Sequence, residues 1–114
     1  MKHVLFICSE NRFRSPTAEN IFSGHPGIEV ASAGLNADAV NPLSNNLLEW
    51  SDMVFVMEES HRHKLSQEFK ASLTTQEVVC LDIPAVFEYM NLVLIQLLKT
   101  KVSPLLACLG EGSV

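Results

Sequence analysis

The segment CSENRFRS, residues 8–15, places a cysteine and an arginine six positions apart, Cys8 and Arg14. A cysteine thiolate is a strong nucleophile, and an arginine guanidinium binds two phosphate oxygens at once through its planar fork. The pair therefore predicts a site in which sulfur attacks phosphorus while the guanidinium holds the oxyanion. We expect the whole loop to bind phosphate, through Ser9, Glu10, Asn11, Arg12, Phe13, Arg14 and Ser15.

This loop lies between an apolar run and the start of a helix. The run HVLFIC (3–8) is typical of a strand that is covered on both faces of a parallel sheet. Ser15 followed by Pro16 is typical of a helix start, because serine caps free amides and proline suits the first turn. Loop amides and the helix dipole would then converge on one anion, and phosphate is the obvious occupant.

Further apolar runs predict the elements that position the loop. Strands are expected over residues 28–33, 52–57 and 77–83, and helices over 16–24, 42–50, 59–73 and about 86–99. This alternation with short connections indicates a three-layer α/β sandwich around a parallel sheet. Ligands of such sheets bind beyond the carboxyl ends of the strands, which is where the loop lies.

The composition is that of a single domain spanning residues 1–114, with an irregular, frayed tail expected over about 103–114. The net charge of -5 argues against a nucleic-acid partner or a membrane surface. Three cysteines at irregular spacing do not make a disulfide framework, which favours a cytoplasmic location. No run is long enough to span a membrane, and the first residues do not resemble a signal peptide.

The stretch VLFICSENRFRSPTAE (4–19) resembles the signature of low molecular weight protein tyrosine phosphatases in residue types and in spacing. VASAGLN (30–36) is similar to the family's Ser-Ala-Gly turn, and SDMVFVMEESHRHKL (51–65) to its third strand and the helix after it. The short chain is similar to a small bacterial branch of predicted tyrosine phosphatases. The resemblance implies a flavodoxin-like, four-stranded parallel sheet in the order 2-1-3-4.

The resemblance also implies roles for residues of the loop. Cys8 would form a cysteinyl-phosphate intermediate, and Arg14 would bind the phosphoryl oxygens through the transition state. Ser15 matches a hydroxyl that hydrogen-bonds the thiolate, and Asn11 matches an asparagine that ties the loop into shape. Glu10 lies where many relatives have glycine, and it places a carboxylate beside the dianion site. No metal and no cofactor are expected, because the loop supplies the positive charge.

Relatives take their general acid from an Asp-Pro-aromatic stretch near the end of the last strand, where this chain reads LDIPAVFEYMN (81–91). Asp82 ends the fourth predicted strand and is the predicted acid, although no proline follows it directly, and Glu88 is the reserve. Small bacterial relatives tend to carry further acids here, where this chain has Ala85 and Asn91.

These residues predict a phosphomonoesterase that acts on aryl phosphates, either a tyrosine-phosphorylated protein or a small aryl phosphate, with phosphate or sulfate as a ligand. Phe87 and Tyr89 would form an aromatic wall for the ring, or they would pack in the core. One alternative, a thioredoxin-coupled arsenate reductase, needs two more cysteines near the site, and only Cys80 and Cys108 are available. Another is a phosphate-binding or phospho-carrying module that uses Cys8 without turnover.

Overall fold

The computed structural model describes residues 2–111, and it describes side-chain surroundings for residues 2–106. Its strands are β1 (Lys2–Cys8), β2 (Ile28–Gly34), β3 (Met53–Val56) and β4 (Glu77–Cys80). Its helices are α1 (Arg14–Phe22), α2 (Asn45–Trp50), α3 (Glu59–Glu68) and α4 (Leu92–Glu111), and a 3-10 turn, Lys70–Ser72, follows α3. None of the helices within 2–111 combines the length and the apolar character needed to cross a bilayer.

The four strands form one parallel sheet in the order β2-β1-β3-β4, which confirms the predicted order. The central strand β1 is buried on both faces, because apolar clusters from different helices pack on either side. Phe6 packs with the cluster of α1 and α4, whereas Leu5 packs with the cluster of α2 and α3. The predicted three-layer sandwich is therefore confirmed, and each layer of helices buries a separate apolar core.

The last helix begins later than its apolar spacing predicts. Residues 86–91 are not helical, and the backbone of Met90 is left-handed, with a φ of 61°. Asn91 then caps α4, because its Oδ1 accepts the N–H groups of Val93 and Leu94 over 2.9 and 3.3 Å. The stretch after β4 is consequently a connection that passes the carboxyl edge of the sheet.

The predicted irregular tail is wrong over residues 103–111, because α4 continues to Glu111. Leu94, Leu98, Val102 and Leu106 are all fully buried and recur every fourth residue, so the core-facing stripe passes Pro104 without interruption. Burial of this stripe offsets the hydrogen bond that the proline removes. Residues 112–114 of the predicted tail lie outside the described residues.

Candidate active site

The loop between β1 and α1 lies at the carboxyl edge of the sheet, where β1 is flanked by β2 and β3. This is the switch in strand order at which open α/β sheets bind ligands. Gly34, at the end of β2, lets the loop approach closely, because a Cβ there would lie 2.8 Å from the Ser9 carbonyl oxygen and 2.5 Å from the Ala39 Cβ. Backbone N–H groups of Leu35 and Asn36 donate to the loop over 3.0 and 2.9 Å.

The Cys8 sulfur lies at the base of the loop, where two hydrogen-bond partners contact it. The Asn11 backbone N–H donates to Sγ over 3.2 Å, and the Ser15 hydroxyl lies 2.9 Å from Sγ. Both partners stabilise negative charge on sulfur, as does the positive end of the α1 dipole. Ser15 does not cap α1 as its place before proline predicts, because it is the second helical residue and Phe13 occupies the N-cap.

Asn11 ties the loop to the rest of the molecule. Its backbone is left-handed, with a φ of 56°, which asparagine adopts more readily than most residues. Its side-chain amide donates to Ser15 Oγ over 2.9 Å and to Ser32 Oγ over 3.0 Å. Ser32, on β2, donates in turn to the Glu19 carboxylate on α1 over 2.5 Å. The backbone around Cys8 is thus held from both neighbouring elements.

Arg14 is a buried cation, 5% exposed, whose position is set by two acceptors. Its Nη1 donates to the Glu58 carboxylate over 2.6 Å and to the Ile83 carbonyl over 2.8 Å. These bonds use both hydrogens of Nη1, so Nη2 and Nε keep three N–H groups for a ligand. That remaining edge has the geometry that binds two oxygens of a phosphoryl group.

His61, buried in the first turn of α3, connects Glu58 to the loop. Its Nδ1 accepts the Glu58 backbone N–H over 3.2 Å, so the neutral ring carries its proton on Nε2 and donates it to Ser9 Oγ over 2.9 Å. Burial lowers the pKa of His61, and the charge of Arg14 lowers it further. Glu58 opposes this pKa shift and Lys64 adds to it. The uncharged ring therefore joins α3 to the loop at neutral pH.

A cleft of about 220 Å³ opens beside Cys8. The residues that line it are Cys8, Ser9, Glu10, Arg12, Phe13, Arg14, Asn36, Glu58, Ala85 and Phe87. The structure thus gathers most of the predicted loop around one cleft, whereas Asn11 and Ser15 lie behind the sulfur and contact it there. Within residues 2–106 no three His, Cys, Asp or Glu side chains are grouped so as to hold a metal ion.

The structure does not bring the predicted general acid to this cleft. Asp82 is exposed, has a left-handed backbone with a φ of 54°, and lines a different cavity beside the first turn of α3. Glu88, the reserve, is exposed and does not line the Cys8 cleft either. The segment after β4 instead reaches the cleft with Ala85 and Phe87. The geometry therefore gives no support to Asp82 or Glu88 as the acid.

The two predicted aromatic wall residues are separated. Phe87 lines the Cys8 cleft, as the wall hypothesis requires. Tyr89 lines another cavity, behind the loop, where its hydroxyl accepts from the Asn20 amide over 3.3 Å. A flat ring bound beside Cys8 would therefore meet Phe87 and the loop residue Phe13, which is 45% exposed.

The sequence interpretation did not assign Glu58 or His61 to the site. Glu58 lies two residues and His61 five residues after the end of β3, where Glu58 is the N-cap of α3 and His61 its third residue. The carboxyl end of β3 lies beside that of β1, so a capping side chain there is close to the loop. A search of the residues that follow the strand next to β1 would have identified Glu58 and His61.

We predict that wild-type protein loses stability relative to His61→Asn as the pH falls from about 8 to about 5. The pKa of His61 is lowered in the folded state, so the unfolded chain binds a proton first as the pH falls below about 6.5. The stability due to the neutral ring is present above that pH and is lost on acidification.

Urea unfolding of both proteins across this pH range measures the effect, because groups that titrate in both proteins cancel in the difference. His63→Asn, which changes an exposed histidine on the same helix, is the matched control and should track the wild type. If the difference in the free energy of unfolding between wild type and His61→Asn stayed constant with pH, the stabilising role of the neutral ring would be contradicted.

We predict that Glu58→Gln lowers the free energy of unfolding by about 1–3 kcal/mol, less than for a fully buried pair because Glu58 is partly exposed. The loss arises because the buried Arg14 guanidinium no longer faces a full negative charge. Added phosphate should therefore raise the melting temperature of Glu58→Gln more than that of wild type, since the anion replaces the missing charge.

Differential scanning calorimetry with and without phosphate provides this comparison. Glu59→Gln is the matched control, because Glu59 pairs with Arg62 at the surface over 3.5 Å and does not contact Arg14. If phosphate raised the melting temperature of wild type and of Glu58→Gln equally, the anion would not be replacing the negative charge of Glu58.

Residues 3–49 match the family model of the low molecular weight phosphotyrosine protein phosphatases. No curated protein sequence matches the chain. Among solved structures, the YwlE arginine phosphatase from Geobacillus stearothermophilus is similar, at 21% identity and a TM-score of 0.74, over 92% of this chain and 90% of that chain.

Two further solved structures share the fold. Wzb from Vibrio vulnificus, in complex with benzylphosphonate, is 20% identical, with a TM-score of 0.74, over 91% of this chain and 96% of that chain. A thioredoxin-dependent arsenate reductase from Corynebacterium glutamicum is 20% identical, with a TM-score of 0.70, over 98% of this chain and 63% of that chain. The predicted resemblance is therefore confirmed: the chain is similar to the low molecular weight protein tyrosine phosphatases in sequence over residues 3–49 and in fold over nearly its whole length.

Proposed function

We propose that this chain is a cysteine-dependent phosphatase that acts on phosphate monoesters with an aromatic leaving group. One observation carries the proposal: Cys8, whose sulfur is hydrogen-bonded, and Arg14, whose described hydrogen bonds are made by Nη1, line the same cleft. The family match over residues 3–49, which contain both residues, supports it.

The chemistry that this arrangement supports has two steps. In the first, Cys8 Sγ bonds to phosphorus and the bond from phosphorus to the leaving oxygen breaks. In the second, water attacks the cysteinyl phosphate, and the electron pair of the S–P bond returns to sulfur. Arg14 stabilises the charge that spreads over the phosphoryl oxygens in both steps, and Ser15 and the Asn11 N–H stabilise the thiolate that is consumed and regenerated.

The lining of the cleft supports an aromatic leaving group. Phe13 and Phe87 both line it, and an aromatic ring of the substrate would pack against them. Tyrosine itself is the first leaving group to test, together with small phenols. The similar YwlE structure is that of an arginine phosphatase, so the shared fold does not select the leaving group.

Arsenate reduction receives less support. A disulfide relay needs a second cysteine near Cys8, but Cys80 packs with the apolar cluster on the opposite face of the sheet. Partial burial also raises the pKa of the Cys80 thiol, which makes it a poorer nucleophile at neutral pH. The side chain of Cys108 lies outside the part of the chain whose side chains are described.

A phospho-carrying module is the second candidate, and one observation favours it. Asp82, the predicted acid, lines a cavity other than the one that contains Cys8. A site with a nucleophile and an oxyanion cradle but without an acid would accept a phosphoryl group and release it slowly.

We predict that p-nitrophenyl phosphate is hydrolysed by wild type and that Cys8→Ser reduces this activity to background, because a serine hydroxyl is not ionised at neutral pH. Cys8→Ser should still bind vanadate, because the Arg14 guanidinium and the loop amides remain. Arg14→Lys should lose most vanadate affinity, since an ammonium cannot make the bidentate contact.

Cys80→Ser is the matched control, because it removes a thiol that does not line the cleft, and it should retain wild-type activity. Hydrolysis that survives Cys8→Ser, or that disappears in Cys80→Ser, would contradict the assignment of the nucleophile. Release of nitrophenol in a single stoichiometric burst without further turnover would favour the phospho-carrying module.

A further inference from the structure

Expulsion of a strongly basic leaving group needs a proton. The hydroxyl of tyrosine has a pKa of about 10, so its phenolate is a poor leaving group unless a general acid protonates it. Carboxylic acids and imidazoles are the usual donors, and they must lie within hydrogen-bond reach of the leaving oxygen. Among the described side chains that line the Cys8 cleft, the carboxyl groups are those of Glu10 and Glu58, and no imidazole contributes.

Glu58 is already engaged by other partners. Its Oε2 accepts from Arg14 Nη1 over 2.6 Å, and its side chain also accepts a backbone N–H at the start of α3. These hydrogen bonds are made by the carboxylate form, which has no proton to donate. Glu58 therefore orients Arg14 and does not act as the acid.

Glu10 is not held where an acid must act. Its side chain is exposed, and within residues 2–106 no hydrogen bond or ion pair engages its carboxylate. It lies on the loop that surrounds the phosphoryl group, and its backbone carbonyl accepts the Val40 N–H over 3.0 Å. An exposed carboxylate that no described side chain or backbone group holds is not fixed at the position of the leaving oxygen.

The connection after β4 brings a methyl group to the cleft. Ala85 lines it, whereas Asp82 lines the neighbouring cavity with residues of the α3 start. Phe87 lines the cleft two residues further on. The residues of this connection that line the cleft therefore provide apolar contact and no carboxyl group.

We propose, building on the proposed phosphatase function, that this site expels its leaving group as an unprotonated anion. Its substrates are accordingly phosphoryl compounds with weakly basic leaving groups, namely acyl phosphates and phosphates of acidic phenols. Phosphotyrosine is a poor substrate, although its ring fits the apolar wall. This proposal defines the substrates of the same cleft by the basicity of the leaving group, so it excludes phosphates of weakly acidic phenols and adds acyl phosphates.

The two steps balance without a general acid. In the first, the thiolate bonds to phosphorus, and the electron pair of the P–O bond departs on oxygen as a carboxylate or phenolate. In the second, water attacks phosphorus, sulfur regains its electron pair, and both water protons leave with dihydrogen phosphate. Of the described carboxylates that line the cleft, Glu58 is engaged by Arg14 and Glu10 is not held in place, so neither is positioned to activate that water and the cysteinyl phosphate accumulates between the steps.

Steady-state kinetics with acetyl phosphate, p-nitrophenyl phosphate, phenyl phosphate and phosphotyrosine test the proposal. The expected kcat/KM for phenyl phosphate and for phosphotyrosine is about a hundredfold or more below that for p-nitrophenyl phosphate, since a general acid contributes about that factor. Mass spectrometry of acid-quenched wild type during turnover should show one added phosphoryl group, which is absent in Cys8→Ser.

Ala85→Asp supplies a carboxyl group on the wall that now carries a methyl. It should raise kcat/KM for phenyl phosphate by about tenfold or more, with a smaller effect on p-nitrophenyl phosphate. Ala85→Asn has nearly the same size without an ionisable proton, and it should give no such gain. The ratio of kcat/KM for p-nitrophenyl phosphate to that for phenyl phosphate in the wild type tests the proposal without either variant.

Similar wild-type rates for phenyl and p-nitrophenyl phosphate would overturn this inference while leaving the proposed phosphatase function intact. A selective loss of phenyl phosphate hydrolysis in Glu10→Gln, Asp82→Asn or Glu88→Gln would also overturn it, by identifying an acid. Absence of Cys8-dependent turnover and of phosphoryl transfer with all four substrates would overturn the proposed function as well.

Discussion

A buried guanidinium beside a cysteine sulfur is the feature on which the site depends. Arg14 is removed from solvent, and the desolvation of its charge is offset by one carboxylate, Glu58, and one backbone carbonyl, that of Ile83. Glu58 follows β3 and Ile83 follows β4. The position of the guanidinium therefore depends on how these two strands pack beside β1. Because both acceptors use the same nitrogen, the rest of the guanidinium remains available to an anion.

Different segments support the loop between β1 and α1 and line the outer part of the cleft. Support comes from behind the sulfur, through hydrogen bonds that connect Asn11 with β2 and α1, and from the side, through the neutral His61. The wall comes from another segment, the connection after β4, which brings Ala85 and Phe87 to the cleft. The supports of the loop and the lining after β4 therefore come from separate segments of the chain.

The loop was predictable because its determinants are local: a buried strand, a cysteine, an arginine and a helix start follow one another within twenty residues. The contributions of Glu58 and His61 depend on parallel pairing of β1 with β3, which brings together residues about fifty positions apart. The place of Asp82 depends on a left-handed backbone that helical and strand periodicity do not encode. Likewise, burial of the α4 stripe outweighs the helix-breaking tendency of Pro104, an outcome that only tertiary packing decides.

A crystal structure of the protein with vanadate shows whether Cys8 and Arg14 act on one phosphoryl group, because vanadate adopts the geometry of a transferring phosphoryl group. We expect vanadium bonded to Cys8 Sγ, with the loop N–H groups and the Nη2 and Nε of Arg14 on its equatorial oxygens, while Nη1 stays on Glu58. Vanadate bound elsewhere, or a sulfur turned away from the cleft with the guanidinium directed to solvent, would contradict it.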